Sequence, residues 1–395
     1  MSYRTNLRGL RAAGVGLILT CLSVSSPCGA VSDVNLPEPM GNLSLPEKPA
    51  GAHWVWIIDY QWANYGRAVL YNADTAEILG MVDTGWEGAG LVWSDSKIYN
   101  ASMFMSRGFR GERTDVVTTF DRHTLKPIQE VVVPPKTIRG FQDLNHFTLT
   151  DDKRFMLLQF VSPASSIGVV DVIANKYIGE IETSGCINAM PVGDRRFFSL
   201  CGDGSALAIT LNEEGKEESR KRYPKLFDPD LDPLHESGVR SGDTWYFVSH
   251  LGQIHPIDVS EADFKFEKPW AISSKDGELT WIPGQPAQTI AVHDSKQWLY
   301  VLMHASDLQP KLSGSDIHRQ SGTETRVFDL KTQKLLHRIK LENPTDSISV
   351  SQDASPLLYA TSGFHASFTI QDAVSGELLW KIPFPSIPTV IQPVN

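Results

Sequence analysis

The sequence is poor in basic charge, in cysteine and in long apolar runs. Its 395 residues carry 36 Lys and Arg against 46 Asp and Glu, which gives a net charge of −10. A nucleic-acid binder needs a basic face for phosphate, so this balance argues against nucleic acid as a partner. After residue 30 no stretch approaches the roughly 18 apolar residues that span a bilayer, so we expect no membrane association of the mature chain.

Familiar catalytic motifs are missing as well. The chain contains no P-loop, no G-x-G-x-x-G, no G-x-S-x-G, no H-E-x-x-H and no C-x-x-C-H haem site. Its eleven histidines are scattered without the spacing of zinc ligands. We therefore expect no metal site and no catalytic residue in this chain, although loops that are distant in sequence could still meet to form one.

The N-terminus is typical of an export signal. Three arginines precede an apolar stretch, Ala12 to Val24, that is too short to span a bilayer. Residues 1–30 are predicted to be a signal peptide cleaved after Ala30, with an uncleaved membrane anchor as the alternative. Cleavage would change the net charge to −13, because it removes three arginines and no acidic residue. The proline-rich residues 31–50 are expected to form an extended arm, and residues 51–395 the folded domain.

Cysteine is scarce in the part of the chain that remains after export. Cys21 and Cys28 would leave with the signal peptide, and Cys186 and Cys201 would stay. An even pair in an exported protein predicts a disulfide. A redox-active pair is the alternative, but it usually needs closer spacing and a helix N-terminus.

One pattern recurs seven times along the chain: two apolar residues, an Asp or a substitute for it, a short polar turn and a second apolar run. The clearest copies are VLYNADTAEILGMVD (69–83) and VFDLKTQKLLHRIKL (327–341). The seven anchor positions, spaced by 39 to 71 residues, are Asn72, Asp121, Asp171, Thr210, Asp258, Asp329 and Asp372. Runs rich in aromatic and β-branched residues lie between them, and no long helix is visible.

Seven such units predict an all-β fold, a seven-bladed β-propeller. A four-stranded sheet alone cannot bury both of its faces, whereas a closed ring of sheets covers both. We expect the strand Trp54–Ile58 to complete the last blade, and the 71-residue interval to hold an insertion near residues 268–285 or 305–322. A pair of β-sandwiches is the alternative fold.

Several segments resemble the heavy (large) subunit of the quinoprotein amine dehydrogenases, the methylamine and aromatic amine enzymes. The matching segments are SRGFRGERTDVV (106–117), VVPPKTIRGF (132–141), LLQFVSPASSIGVVDV (157–172), GQIHPIDVS (252–260), SISVSQDASPLLYA (347–360) and DAVSGELL (372–379). They follow the family's order over nearly all of the mature chain.

This resemblance implies a periplasmic protein in a tetramer of two heavy and two light subunits. The light subunit would carry tryptophan tryptophylquinone, made from two of its own tryptophans, and this chain would carry no cofactor. The enzyme would oxidise a primary amine to an aldehyde and ammonia, and pass the electrons to a blue copper protein. Because only two cysteines remain after export, no disulfide-dense light subunit is fused to this chain.

The resemblance also suggests residues for the amine channel. In the methylamine branch, an aromatic residue shortly before the first repeat helps to gate access to the quinone. Trp62 is the nearest equivalent, and an ordinary structural role at the rim or in the core is equally open. Phe104 and Met105, just before the SRGFRGERTD motif, are further candidates.

Three arginines of that motif are candidates for a partner interface. Arg107, Arg110 and Arg113 lie in a charged loop that could be merely solvated, with ion pairs worth little each. We predict contact with a partner subunit, where arginine is favoured. His318-Arg319 resembles a His-Lys pair of the family, and its role is open.

Two other functions are compatible with a propeller. One is an autonomous enzyme such as a lactonase, for which an axial metal and turnover by the isolated chain are expected. The other is a binding module without a catalytic partner.

Overall fold

The computed structural model describes most of the chain after residue 42. The described residues are 43–60, 65–87, 90–139, 143–276, 279–283, 288–306, 320–363, 365–384 and 387–394. The predicted signal peptide and most of the predicted arm lie outside them, as do Trp62 and His318-Arg319. Within these ranges the only helical segment is a 3₁₀ turn, Leu144–His146, and no helix is long and apolar enough to cross a membrane.

The described residues contain thirty-one strands. The first fifteen are β1 (Trp54–Tyr60), β2 (Tyr65–Asn72), β3 (Glu77–Trp86), β4 (Leu91–Trp93), β5 (Lys97–Met105), β6 (Arg113–Asp121), β7 (Pro127–Val133), β8 (Phe147–Leu149), β9 (Phe155–Phe160), β10 (Ser166–Asp171), β11 (Lys176–Glu182), β12 (Cys186–Pro191), β13 (Arg196–Cys201), β14 (Ala206–Leu211) and β15 (Glu217–Tyr223). The others are β16 (Val239–Ser241), β17 (Thr244–Val248), β18 (Gln253–Asp258), β19 (Lys265–Phe266), β20 (Trp270–Ala271), β21 (Ser274–Asp276), β22 (Leu279–Pro283), β23 (Ile290–His293), β24 (Trp298–Ser306), β25 (Gly322–Asp329), β26 (Leu335–Thr345), β27 (Ser347–Val350), β28 (Leu357–Ser362), β29 (Ser367–Asp372), β30 (Leu378–Pro383) and β31 (Ile387–Val394).

These strands form seven antiparallel sheets, the blades of a β-propeller, which confirms the predicted fold. From the inner to the outer strand, blade 1 is β31-β1-β2-β3, blade 2 is β4 to β7, blade 3 is β8 to β11 and blade 4 is β12 to β15. Blade 5 is β16 to β19 with β20 beside β18, blade 6 is β23 to β26 with the extra strands β21 and β22, and blade 7 is β27 to β30.

The prediction for Trp54–Ile58 is wrong. This segment is not part of the last blade but lies in β1, the second strand of blade 1, where it pairs with β2. The missing inner strand of blade 1 is β31 from the C-terminus, with Trp54 opposite Val394 and Tyr60 opposite Ile387. The ring is therefore closed by hydrogen bonds between the two ends of the domain.

The hydrophobic core consists of seven clusters, one between each pair of neighbouring blades. Tyr359 and Phe368 of blade 7, for example, pack with Tyr71 of blade 1 across the closure. Burial of both faces of every blade is what makes the ring favourable, because an isolated sheet would leave one apolar face in water.

Two glutamine side chains near the axis join β31 of blade 1 to blade 2 and, past blade 7, to the segment that enters blade 6. Gln392 of β31 accepts a hydrogen bond from Leu91 N (2.8 Å) and donates one to Leu91 O (2.7 Å) in blade 2. Gln288, just before blade 6, bonds in the same way to N and O of Ile391. Each glutamine amide thus provides hydrogen-bond partners for one backbone N–H and one backbone carbonyl, which would otherwise need a neighbouring strand.

The seven anchor positions mark the turns that join the third strand of each blade to its outer strand. Five are aspartates, and Asp121 shows why: its Oδ1 accepts hydrogen bonds from His123 N, Thr124 N and Thr124 Oγ1. Blade 4 departs from the prediction, because Asn212 rather than Thr210 caps its turn, accepting from Glu214 N and Lys216 N. We call the side of the ring with these turns the turn face.

The opposite side, the loop face, carries the loops between second and third strands and the segments that enter the inner strands. Blade 6 has its insertion here: β21 and β22 form a hairpin that pairs with the end of β24. This hairpin lies in the first of the two predicted regions, and residues 307–319 of the second lie outside the described residues.

Two further predictions concern the arm and the cysteines. Residues 43–50 contain no strand, but Leu45 is buried against blade 1 and its N donates to His123 O (2.7 Å). The predicted disulfide between Cys186 and Cys201 is confirmed, and it joins paired residues of β12 and β13 at the loop face.

Candidate functional site

Four aromatic side chains meet on the loop face between blades 1 and 2. Tyr65 begins β2, Trp86 ends β3, Phe104 lies near the end of β5 and Phe109 lies in the β5–β6 loop. Ring centroids are 6.1 Å apart for Tyr65 and Trp86, 6.2 Å for Tyr65 and Phe104, and 5.4 Å for Trp86 and Phe109. We call these four residues the aromatic platform. Phe109 lies at the end of this row of rings and is 62% exposed, so the platform presents a large apolar side chain to solvent.

The loop between β5 and β6 is held in a defined shape. Ser106 N donates to Glu112 O, Glu112 N donates to Ser106 Oγ (3.0 Å), and Arg107 N donates to Arg110 O (3.0 Å). Gly111 has a φ of +104°, and a Cβ there would clash with Ser106 Oγ. The Tyr65 hydroxyl donates to Gly108 O (3.2 Å), so the loop is fastened to the platform at its tip.

The three candidate arginines of this loop differ in their surroundings. Arg107 and Arg110 are exposed. Arg113 instead makes a bidentate pair with the fully buried Asp115, at 2.7 Å for both contacts, and donates to Thr137 O at 2.9 Å. Thr137 in turn donates to Asp115 from both N and Oγ1. Arg113 therefore ties blade 2 to the segment that enters blade 3, and only its exposed part remains for a partner.

A second arginine, Arg139, lies between blades 2 and 3 close to this network. Its Nη2 donates to Ala101 O (3.0 Å), and its guanidinium lies 5.8 Å from the Phe147 ring centroid. Its Nε and Nη1 are buried and have no hydrogen-bond partner in the described part of the chain. Burial lowers the pKa of Arg139 to about 10, against the nearby Asp115 carboxylate, which raises it. The side chain thus stays positive at neutral pH.

The candidates for the amine channel are partly placed by the structure. Phe104 belongs to the aromatic platform, and Met105 follows it at the end of β5, with its carbonyl 3.5 Å from the Tyr65 hydroxyl. Trp62 lies outside the described residues, in the segment between β1 and β2. Their roles in a channel, and those of Arg107, Arg110 and Arg113 at an interface, stay predictions.

Sequence reasoning missed three members of the platform: Tyr65, Trp86 and Phe109. Each belongs to a different element, so no local pattern connects them. The signal that could have pointed to one of them is the SRGFRGERTD motif, in which Phe109 is an aromatic residue within a polar loop.

Sequence reasoning also expected no metal ligands, yet one group of three potential ligands comes together on this face. Ligand atoms of Asp143, His146 and Glu236 all lie within 4.8 Å of one another. Glu236 is exposed as a residue, but partial desolvation of its carboxyl group and then the neighbouring Asp143 raise its pKa. Only the i, i+3 spacing of Asp143 and His146 was visible in the sequence, because Glu236 comes from another blade.

Comparison by sequence matches this chain to methylamine dehydrogenase heavy chains. The profile of the methylamine dehydrogenase heavy chain (MADH) family matches residues 52–392. The chain is 28% identical to the methylamine dehydrogenase heavy chain of Methylorubrum extorquens over 378 residues, covering 94% of this chain and 90% of that protein. It is 30% identical to that of Paracoccus versutus over 346 residues, covering 85% and 78%.

Solved structures with a similar fold are more distant in sequence. A functionally unknown protein from Desulfotomaculum acetoxidans has a TM-score of 0.58 at 13% identity, covering 86% of this chain and 98% of that chain. A putative 6-phosphogluconolactonase from Bacteroides fragilis has a TM-score of 0.58 at 12% identity, covering 89% and 100%. These two support the fold alone. The family profile covers most of the chain and agrees with the motifs found in the sequence, so the chain belongs to the methylamine dehydrogenase heavy chain family.

Proposed function

We propose that this protein is the heavy subunit of a periplasmic amine dehydrogenase. The assembly has two heavy and two light subunits, oxidises primary amines to aldehyde and ammonia, and passes the electrons to a blue copper protein. The observation that carries the proposal is the family match over residues 52–392. In this assembly the chain holds the light subunit and lines the path of the amine.

The aromatic platform supports the loop face as the docking surface. Interface centres are enriched in aromatic side chains and arginine, and the platform combines an exposed Phe109 with the exposed Arg107 and Arg110 beside it. The β5–β6 loop is fixed by its own hydrogen bonds, so little conformational entropy is lost when a partner packs against it. Phe104 and Met105 would then lie at the edge of the contact, where an amine channel could pass.

The quinone, which accepts the electrons of the amine, belongs to the light subunit in this proposal. A tryptophan-derived quinone needs two tryptophans beside each other in a site that substrate can reach. Four tryptophans of this chain are instead packed in the clusters between blades, with 3% to 8% of their surface exposed; they are Trp54, Trp56, Trp245 and Trp270. Their burial fits a role in packing.

Coexpression tests this function directly. The full chain is expressed with its own N-terminus, alone and together with a small disulfide-rich subunit of the same organism that carries candidate tryptophans. We expect the chain alone to show no quinone absorbance and no amine oxidation, and the coexpressed proteins to co-purify and to reduce a dye with a primary amine. A chain that co-purifies with no such subunit under native conditions would contradict the proposal.

An autonomous enzyme is the second candidate, and the group of Asp143, His146 and Glu236 near the axis is the observation that favours it. Turnover of a lactone by the isolated chain, lost on chelation, would support this alternative. Amine oxidation only in the presence of a light subunit would exclude it as the main function.

A further inference from the structure

Three consecutive blades contribute to a polar group at the loop-face end of their inner strands. Asp143 and His146 immediately precede β8 of blade 3, Asn188 lies within β12 of blade 4, and Glu236 precedes β16 of blade 5. Asp143 and His146 are buried, at 8% and 3% exposure, whereas Glu236 is open to solvent on one side. The group therefore lies beside the propeller axis with an access path from the loop face.

Asn188 is directed into this group by an irregularity of its strand. The pairing of β12 with β13 shifts register between Ile187 and Met190, and Asn188 has a φ of +64°. Such bulges re-aim a side chain. The Asn188 Nδ2 donates to Asp143 Oδ2 (3.2 Å) and to Glu236 O (3.3 Å). Its Oδ1 is buried, with the residue 1% exposed, and accepts no hydrogen bond from the residues that the structure describes.

A buried acceptor without a hydrogen-bond partner is unfavourable. The carboxylates of Asp143 and Glu236 lie close together, which favours a positive charge between them. A cation would balance these two carboxylates, and it would also satisfy Asn188 Oδ1 once the carboxamide turns toward it. Rotation of the Asn188 carboxamide by half a turn would place its oxygen where Nδ2 now faces Asp143.

We propose that Asp143, His146 and Glu236, with Asn188 as a neutral oxygen donor, bind one divalent transition-metal cation of the zinc type. One imidazole and two carboxylates are a donor set that zinc accepts, with bonds of roughly 2.0–2.2 Å. Three atoms within 4.8 Å of one another need only a small contraction, which the exposed Glu236 side chain can provide. An all-oxygen set would have favoured calcium or magnesium instead.

The ion would join blades 3, 4 and 5 at the axis. A bound cation would fix the segments that enter blades 3 and 5 relative to one another and to the irregular start of β12 in blade 4. This site does not depend on the light subunit, so its failure and the failure of the proposed function are distinguishable.

Zinc binding by the tag-free full chain tests the proposal. The chelator-treated protein is titrated with zinc, with calcium and magnesium as comparison ions, and zinc per chain is measured after dialysis. We expect one zinc per chain and a raised thermal midpoint with zinc alone. Glu236→Gln and His146→Gln should each weaken binding at least tenfold, while His123→Gln, an exposed histidine of the turn face, should leave it unchanged.

The Asn188→Asp substitution should change zinc affinity in the opposite direction from Glu236→Gln and His146→Gln. An added carboxylate should tighten zinc binding several-fold and lower the thermal midpoint of the metal-free chain, whereas a purely structural asparagine would give destabilisation without tighter binding. Less than one zinc per ten chains, or binding that Glu236→Gln and His146→Gln leave unchanged in folded protein, would overturn the proposal.

Discussion

On the turn face, five blades close their outer hairpin with an aspartate cap, whereas the described part of the loop face carries different features in different groups of blades. Blades 1 and 2 hold the aromatic platform there, blades 3 to 5 hold the potential metal ligands, and blade 6 carries an added hairpin. The repeated face is constrained by folding, since each cap accepts hydrogen bonds from backbone N–H groups two or three residues further on. On the loop face, side chains can differ between blades without disturbing the ring. Substitutions on the turn face should therefore affect stability alone, whereas some on the loop face should also affect binding.

Within the loop face, the largest expected effect separates two arginines of one loop. Arg113→Ala leaves the buried Asp115 without its bidentate partner, and removing one member of a buried pair costs about 3–5 kcal/mol. Arg110→Ala removes only an exposed charge and should cost less than about 0.5 kcal/mol. Urea unfolding of both variants measures the difference. Equal losses would show that the Arg113 network does not join blades 2 and 3.

The disulfide is the next largest contribution of the loop face. Replacing both Cys186 and Cys201 by alanine opens a loop of 15 residues, and we expect a loss of roughly 3 kcal/mol in the free energy of unfolding. Denaturant curves of the oxidised wild type and the double variant provide the test, and reduced wild type is the control. A variant as stable as the oxidised protein would contradict the prediction.

Light-subunit binding should depend on the loop face and not on the turn face. Phe109 and Ile173 are similarly exposed, at 62% and 64%, but lie on the loop face and the turn face respectively. Phe109→Ala should weaken light-subunit binding about tenfold, or about 1.4 kcal/mol, as expected for an aromatic interface residue. Ile173→Ala should leave it unchanged, and neither should shift the thermal midpoint by more than about 2 °C. Titration of each variant against the light subunit measures these effects. Equal losses of affinity for the two variants would show that the faces do not differ in partner binding.

A turn-face cap should affect stability alone. Asp121→Ala removes three hydrogen bonds at the end of β6, and the loss should be about 1 kcal/mol. Amine oxidation by the assembled enzyme should keep its kcat and KM. A large change in KM with little change in stability would place function on the turn face.

The smallest effects are those of pH on the same caps. Hydrogen bonds from turn residues lower the pKa of Asp121, Asp258 and Asp329 below the ordinary value of 3.8. Their stabilisation is therefore present above about pH 4 and is lost as pH falls through the lowered pKa values. The variant with all three replaced by asparagine should show a flatter loss of stability as pH falls below about pH 4. An unchanged slope in urea unfolding would show that other carboxylates control acid unfolding.

The sequence predicted local and periodic features, most of them on the turn face, better than features that depend on long-range contacts. The propeller, its seven turns and the disulfide were predictable because Asp caps, strand patterns and an isolated cysteine pair are local or periodic signals. Trp54–Ile58 was assigned to the wrong blade because its partner β31 lies more than 300 residues away and carries no repeat motif. Thr210 failed as an anchor because the turn of blade 4 is displaced by two residues to Asn212.

The loop face was less predictable for a physical reason. The aromatic platform joins residues of blades 1 and 2, and the potential metal ligands come from positions 143, 146 and 236. Such groups exist only after the ring has closed. A resemblance to a family could point to Phe104 and Arg107, but not to Trp86 or Glu236, whose neighbours are set by tertiary structure.

Hydrogen exchange of the full chain, measured with and without the light subunit, tests the central claim most directly. Amides of residues 104–113 at the aromatic platform should become strongly protected in the complex, and those of the turns after Asp121, Asp171 and Asp329 should exchange as before. Protection confined to the turn face, with residues 104–113 unchanged, would contradict the account.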